Sequence, residues 1–251
     1  MLPLLVTGAS GRMGQAIRAC AEGDPAVEVV ATHHEGQSLA EAFSALSASS
    51  KGPPAVIDFT HHSFTAQVLE QAVAAHCLLV LGTTGHTGEE RAAIHQAAQR
   101  IPIAFAPNFS VGVNTLFWLT RKATEILGDD FDLEVVEMHH KHKVDSPSGT
   151  ARRLGEILAE VSGVSYENDV QHGRHGDIGP RSQKEIGMHA VRGGDVVGDH
   201  TVIYAGDGER VELTHKAASR QTFANGSLRA AKWLIGQDPG LYDMQDVLGL
   251  H

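Results

Sequence analysis

The chain has 251 residues, 42% hydrophobic and 20% charged, an ordinary globular composition that excludes a disordered, collagen-like or coiled-coil chain. Its 30 Asp and Glu against 20 Lys and Arg leave a formal charge of −10, which argues against a nucleic-acid partner. No run approaches the ~20 apolar residues of a membrane span, and the opening Leu2-Pro3-Leu4-Leu5-Val6 stops at Gly8, too short for a signal peptide, so a cytoplasmic protein with no membrane partner is expected.

In chain order, strands are predicted at 4–7, 27–32, 55–58, 78–81 and 103–105, and helices at 15–22, 64–75 and 88–100. Phe64, Val68, Leu69, Ala72 and Val73 recur at helical spacing in the second of these helices. The stretch 32–53 reads as one short helix and then a loop, with Ser47, Ser49, Ser50 and Gly52 near its end. Strands alternating with helices imply a parallel sheet covered on both faces. The pattern changes after about Asn108: a helix at 113–127, a strand at 131–138, and a helix at 147–161 with Ser146 as N-cap and Pro147 in its first position. A long polar loop is expected at 164–181, strands at 186–191, 200–205 and 210–215, and a last helix at 223–235, together an α+β second domain. The two cysteines, Cys20 and Cys77, make neither a disulfide framework nor a four-cysteine zinc site and are expected to be buried and inert.

Four segments carry chemistry. Gly8-Ala9-Ser10-Gly11-Arg12-Met13-Gly14 follows a strand and opens a helix, so its glycines can turn tightly and bring a pyrophosphate to the helix N-terminus. The spacing is G-x-x-G-x-x-G, not the stricter G-x-G-x-x-G, and a plain strand-to-helix turn stays open on spacing alone. Gly82-Thr83-Thr84-Gly85 and Ala106-Pro107-Asn108-Phe109-Ser110 each follow a strand, at the edge where open α/β sheets bind ligands, though either could be a simple turn. The fourth is Glu137-Met138-His139-His140-Lys141-His142-Lys143, followed by Asp145-Ser146-Pro147-Ser148-Gly149-Thr150. Lysines, protonatable histidines and a helix start make an anion site suited to a carboxylate-bearing substrate, with a histidine able to give a proton near neutral pH. A metal is not expected, because Lys141 and Lys143 would repel a cation and no Cys is near; a solvated basic loop stays open as the lesser alternative. The pairs His33-His34 and His61-His62 read as exposed loop histidines.

These segments, with Asp58-Phe59-Thr60, the run Arg192 to His200 and the run Thr214 to Arg220, resemble the bacterial dihydrodipicolinate reductases of lysine and diaminopimelate synthesis, from Leu5 to about Leu234. The resemblance implies an α/β fold with a Rossmann-like nucleotide domain and an α+β substrate domain on a mixed sheet, and usually a homotetramer. It places the nucleotide domain at 1–110 and 220–251, the last helix returning to it, and the substrate-binding and oligomerisation domain at 111–219. It implies reduction of 4-hydroxy-tetrahydrodipicolinate to tetrahydrodipicolinate with NADH or NADPH. The family's cofactor residues fall on Gly8, Ala9, Ser10, Gly11, Arg12 and Met13, on Gly82, Thr83 and Thr84, and on Ala106, Pro107, Asn108 and Phe109. Its catalytic pair falls on His139 and Lys143, and its substrate contacts on His140, Lys143, Gly149 and Thr150. The sequence departs from the family in a shorter stretch between the second and third strands, and in His33, followed by His34, where many members place an acid after the second strand. An acid there would accept from a ribose 2′-OH. Imidazoles instead predict that both nucleotides work and that NADPH is at least as good as NADH, with His33 and His34 beside the adenosine ribose. Another two-domain amino-acid-pathway dehydrogenase, of aspartate or homoserine type, and a non-catalytic NAD(P)-sensing regulator stand as alternatives. The regulator is weakened by the absence of a basic recognition helix.

Overall fold

The computed structural model describes residues 1–49 and 52–250; Ser50, placed in a loop by the sequence reading, lies outside the described residues. In chain order the elements are β1 (Leu2–Thr7), α1 (Arg12–Glu22), β2 (Val27–His33), α2 (Leu39–Ser47), β3 (Ala55–Asp58), α3 (Thr65–Ala74), β4 (Leu78–Leu81), α4 (Gly88–Ala98) and β5 (Pro102–Phe105). They continue with α5 (Val111–Leu127), β6 (Asp132–His139), α6 (Gly149–Ser162), α7 (Tyr166–Asp169), β7 (Val170–His172), β8 (Ile186–Arg192), β9 (Gly198–Gly206) and β10 (Glu209–Ala217). The chain closes with α8 (Gln221–Trp233), β11 (Gly240–Tyr242) and α9 (Met244–Leu248). It divides into two compact units, Met1–Val111 with Arg220–His251, and Gly112–Ser219.

The first unit is a six-stranded sheet in the order β11-β5-β4-β3-β1-β2, with every pairing parallel. Strand residues alternate between its faces. Leu4, Val6 and Ile57 pack with Ile17 of α1 and Leu228 of α8 on one side, while Leu5, Val56 and Leu79 pack with Phe43, Val68 and Ile94 on the other. The chain moves outward from β1 to β2 and then crosses to β3 on the other flank of β1, so the carboxyl ends of β1 and β3 form the switch point at which open sheets bind ligands. Helix α8 can lie close because residue 226 is glycine: a Cβ there would come within 1.7 Å of the Phe109 carbonyl oxygen.

The second unit is a five-stranded mixed sheet, β10-β9-β6-β8-β7, in which β6 pairs parallel with β8 and antiparallel with β9. One face carries Leu133, Val135, Ile186, Met188, Val202 and Tyr204 against Val113 and Phe117 of α5 and Leu154 and Leu158 of α6. The Tyr204 hydroxyl donates to the Thr120 carbonyl at 2.9 Å, so the one polar atom of this large core residue is satisfied.

Several elements differ from those expected from sequence. Helix α1 begins at Arg12, three residues early, because Gly11 is extended and closes the turn. Strand β2 runs through His33, which registers with Thr7 of β1, so His33 is a buried strand residue and not an exposed loop histidine. Helix α6 is not capped by Ser146: Ser148 is the extended N-cap and its hydroxyl accepts from the Ala151 N–H at 3.2 Å, so the helix starts at Gly149 rather than Pro147. The expected loop at 164–181 contains α7 and β7; the latter is a three-residue edge strand whose parallel pairing with β8 needs no apolar pattern. Finally, β11 and α9 follow the last predicted helix and are too short to leave a periodicity.

Candidate active site

In the first unit an open cleft of about 590 Å³ lies at the carboxyl ends of β1 and β2. Gly8, Ser10 and Gly11 form one wall, His33, His34, Glu35 and Gln37 a second, and Phe59, Thr60, His61 and Phe64 a third. Gly8 has φ +61°, and its carbonyl accepts from the Gly11 N–H at 2.9 Å, closing the turn. A Cβ on Gly14 would come within 2.3 Å of that carbonyl oxygen, so the loop seats on α1 only with glycine there. No side chain caps α1, leaving its N-terminal dipole to the cleft. A glycine-walled loop against an uncapped helix start fits the pyrophosphate of a dinucleotide.

The strand ends are held by a buried carboxylate. Asp58 accepts from the hydroxyls of Thr7 at 2.5 Å, Thr60 at 2.8 Å and Thr83 at 2.6 Å, locking together the ends of β1, β3 and β4. Gly82 lies under Phe59, where a Cβ would meet the ring at 2.2 Å, and Thr84 is exposed beyond it. Ala106 and Phe109 are buried, Phe109 edge-on to Phe59, while Pro107 is exposed and Asn108 Oδ1 accepts from the Ser110 N–H. Gly82 to Thr84 and Ala106 to Phe109 thus sit at the same sheet edge as the cleft but do not line it. His33 stacks on Phe64 with centroids 5.2 Å apart, and its Nε2 is bonded to the Gln37 carbonyl. His34 Nδ1 is 2.8 Å from Gln37 Oε1. Expected as exposed loop residues, His61 is exposed but His62 is half-buried and paired with Glu90.

In the second unit β6 ends in a cluster of ionisable groups. Glu137 and His139 are two residues apart on a strand and share the buried face. Glu137 is fully buried: its Oε2 accepts from His139 Nδ1 at 2.6 Å and Arg192 Nη1 at 2.8 Å, and its Oε1 from Arg192 Nη2 at 2.8 Å and the Ser148 N–H at 3.1 Å. Burial by itself would raise the Glu137 carboxyl, but these donors outweigh it and hold it below the usual range. Burial lowers His139, and Glu137 only partly offsets that. His200, edge-on to His139 at 5.1 Å, is pushed down to about 3 by burial and the His139 charge, and its Nε2 is 3.0 Å from Ser148 Oγ. Lys143 Nζ donates to both oxygens of Asp145, at 2.9 and 3.0 Å, and holds that carboxyl low. His140 lies in the turn after β6 with its Nδ1 buried and unpartnered, and Gly149 and Thr150 open α6. The structure thus gathers His139, His140, Lys143, Gly149 and Thr150 around one strand end and one helix start.

Sequence reasoning assigned no role to Glu137, Arg192, Ser148, His200, Asp58 or Thr7. Glu137 left a faint signal, a charged residue on the apolar face of a predicted strand. Among the described residues no group of three or more His, Cys, Asp or Glu is placed to hold a metal ion.

The chain has the fold of a two-unit α/β protein, a Rossmann-like parallel sheet with a second, mixed-sheet unit. Over 98% of its length it is similar to 98% of a dipicolinate-bound dihydrodipicolinate reductase from Paenisporosarcina sp. TG-14, with TM-score 0.75 and 23% identity. Over 99% it is similar to 90% of GenD2 from gentamicin A biosynthesis in complex with NAD, with TM-score 0.58 and 14% identity. At such identities the likeness is one of fold. Sequence carries the identification further: family models described as dihydrodipicolinate reductase, N-terminus and C-terminus, match residues 2–109 and 112–248. The chain is 59% identical over 250 residues to the 4-hydroxy-tetrahydrodipicolinate reductase of Akkermansia muciniphila, covering 100% of this chain and 99% of that one. It is 48% identical over 260 residues to that of Thiobacillus denitrificans, covering 98% and 97%. The chain belongs to the dihydrodipicolinate reductase family.

Proposed function

We propose that this chain reduces 4-hydroxy-tetrahydrodipicolinate to tetrahydrodipicolinate with NADH or NADPH, in lysine and diaminopimelate synthesis, as a cytoplasmic homotetramer. The observation that carries the reading is a buried imidazole held by a carboxylate at the end of β6, four residues before a lysine and beside a capped helix start. Substrate and product differ by a hydride gained and a hydroxyl lost, so each turnover takes up one proton and releases one water. A bound nicotinamide supplies the hydride. His139 or Lys143 supplies the proton, and Lys143, His140 and the N–H groups of Gly149 and Thr150 hold the two carboxylates. Lys143 exchanges Asp145, which is 63% exposed, for a substrate carboxylate.

In the first unit the Gly8 to Met13 backbone would take the pyrophosphate, with Gly82 to Thr84 and Ala106 to Phe109 as further cofactor-binding residues at the same sheet edge. His33 is buried and stacked on Phe64, whereas His34 is only half-buried and is held to Gln37 through Nδ1, so of the two imidazoles His34 is the better placed to meet a 2′-phosphate in the cleft. Neither repels that phosphate as a carboxylate would, which supports use of both nucleotides with NADPH at least as good. The half-exposed sheet face bearing Val136, Met138, Ile203 and Val191 supports self-association. No described helix is long and apolar enough to cross a membrane.

The test is nucleotide oxidation with 4-hydroxy-tetrahydrodipicolinate beside aspartate- and homoserine-type substrates, with both nucleotides, from mildly acid to mildly alkaline pH. Turnover of the dicarboxylate alone is the expected result. Turnover of another substrate in its place, or nucleotide binding without any turnover, would sink the reading. A strong NADH preference at all pH values would remove the role of His34, and a monomeric mass in solution would remove the tetramer.

A further inference from the structure

We propose that Glu137 and Arg192 are positioning residues for the reaction: together they hold His139 as the Nδ1–H tautomer, so that Nε2 is the atom through which His139 handles the proton. The inference rests on the role given to His139 above.

The geometry allows one arrangement. Both Glu137 oxygens are filled by donors whose protons are not in question, the two Arg192 nitrogens and the Ser148 N–H, and a carboxylate surrounded in this way stays ionised and can only accept. The 2.6 Å contact to His139 Nδ1 therefore has the imidazole as donor. That leaves Nε2 without a proton in the neutral ring and with one in the cation. Space at Nε2 is kept by Gly198, where a Cβ would come within 2.9 Å of it. His139 is faced by Glu137 on its own strand, Arg192 on β8, His200 on β9 and Lys143 in the following turn. His200 stays neutral, so Glu137 is the one anion among these groups and favours the cation needed for proton donation. Arg192 moderates it and prevents the buried carboxylate from taking the proton itself. Arg192 also donates to the Asp145 carbonyl at 2.8 Å, so the same guanidinium fixes the turn that carries Lys143.

Two measurements test this. In the first, kcat and KM are followed against pH for the wild type, Glu137→Gln and Glu137→Asp, with His139→Gln in parallel. Glu137→Gln should lower kcat by at least about tenfold and move its alkaline limb toward acid by about one pH unit, with nucleotide Kd unchanged. Glu137→Asp, which keeps the charge, should hold the limb near its wild-type position. A purely structural Glu137 would lower the melting temperature and leave the limb in place, and that result overturns the proposal. If instead His139→Gln keeps wild-type kcat, the reading of His139 has failed and not its positioning. In the second, ¹⁵N NMR of the wild-type imidazoles, assigned with His139→Gln, reads the tautomer directly even if the Glu137 variants do not fold. A neutral His139 protonated on Nδ1 is expected; an Nε2–H tautomer overturns the proposal.

Discussion

His139 titrates between opposed influences, burial and the cations Lys143 and Arg192 on one side and Glu137 on the other, with the lowering influences prevailing. In the free protein it is therefore neutral at physiological pH. A bound dicarboxylate brings negative charge beside it and favours the cation, so the alkaline limb of kcat should lie at higher pH than that of kcat/KM, which steady-state rates across pH will show. Coincident limbs would count against His139 as the proton donor. His139→Gln should lower kcat by roughly 10²–10⁴-fold with nucleotide affinity kept. Lys143→Ala should raise KM by at least about tenfold, since ~1.4 kcal/mol is a factor of ten, and inhibition by pyridine-2,6-dicarboxylate should weaken in step. The segment His139 to Lys143 is legible in sequence because basic groups crowd into five residues of an acidic chain. The Glu137–Arg192 pair is not, because its partners lie 55 residues apart and meet only when β6 and β8 pair.

The elements of the first unit could be read locally because each buries one face and repeats its apolar residues at the spacing of a strand or a helix. Their seating could not. Helix α8 needs glycine at 226 because the Phe109 carbonyl stands in its way, so Gly226→Ala should destabilise the protein by about 1–3 kcal/mol, the usual cost of overpacking, read as a lowered apparent melting temperature. In the second unit Arg174 and Arg181, from the stretch read as a loop, and His189 of β8 all converge on Glu134 of β6. Burial opposes ionisation there, but those donors pull the carboxyl down to about 2. A depressed carboxyl stabilises the fold above its unfolded value near 4.5 and loses that contribution as pH falls toward 2. Glu134→Gln should therefore melt below the wild type at neutral pH, with the gap closing progressively between these values in an acid titration. No sequence periodicity announces this network, since ion pairs between a loop and a strand have no fixed spacing.

Across the molecule, a formal charge of −10 repels a dianion at long range, so binding has to come from short-range donors. If nucleotide and dicarboxylate are held by different units, their stabilising effects should separate. Nucleotide at 100 times its Kd should stabilise the folded state by about 2.7 kcal/mol, and Lys143→Ala should keep that rise in melting temperature while losing the rise produced by pyridine-2,6-dicarboxylate. Loss of both would show that the two assignments are not independent. Composition, periodicity and motif spacing determined the parallel first sheet, the change of pattern near Asn108 and the position of the basic segment, because those properties are encoded within a turn or two of chain. The tertiary structure alone decided that His33 is buried, that Ser148 and not Ser146 caps α6, and that Asp58 and Glu137 bind distant strands together. Burial and hydrogen-bond partnership depend on which segments meet, and the strand order that decides their meeting leaves no mark on local sequence.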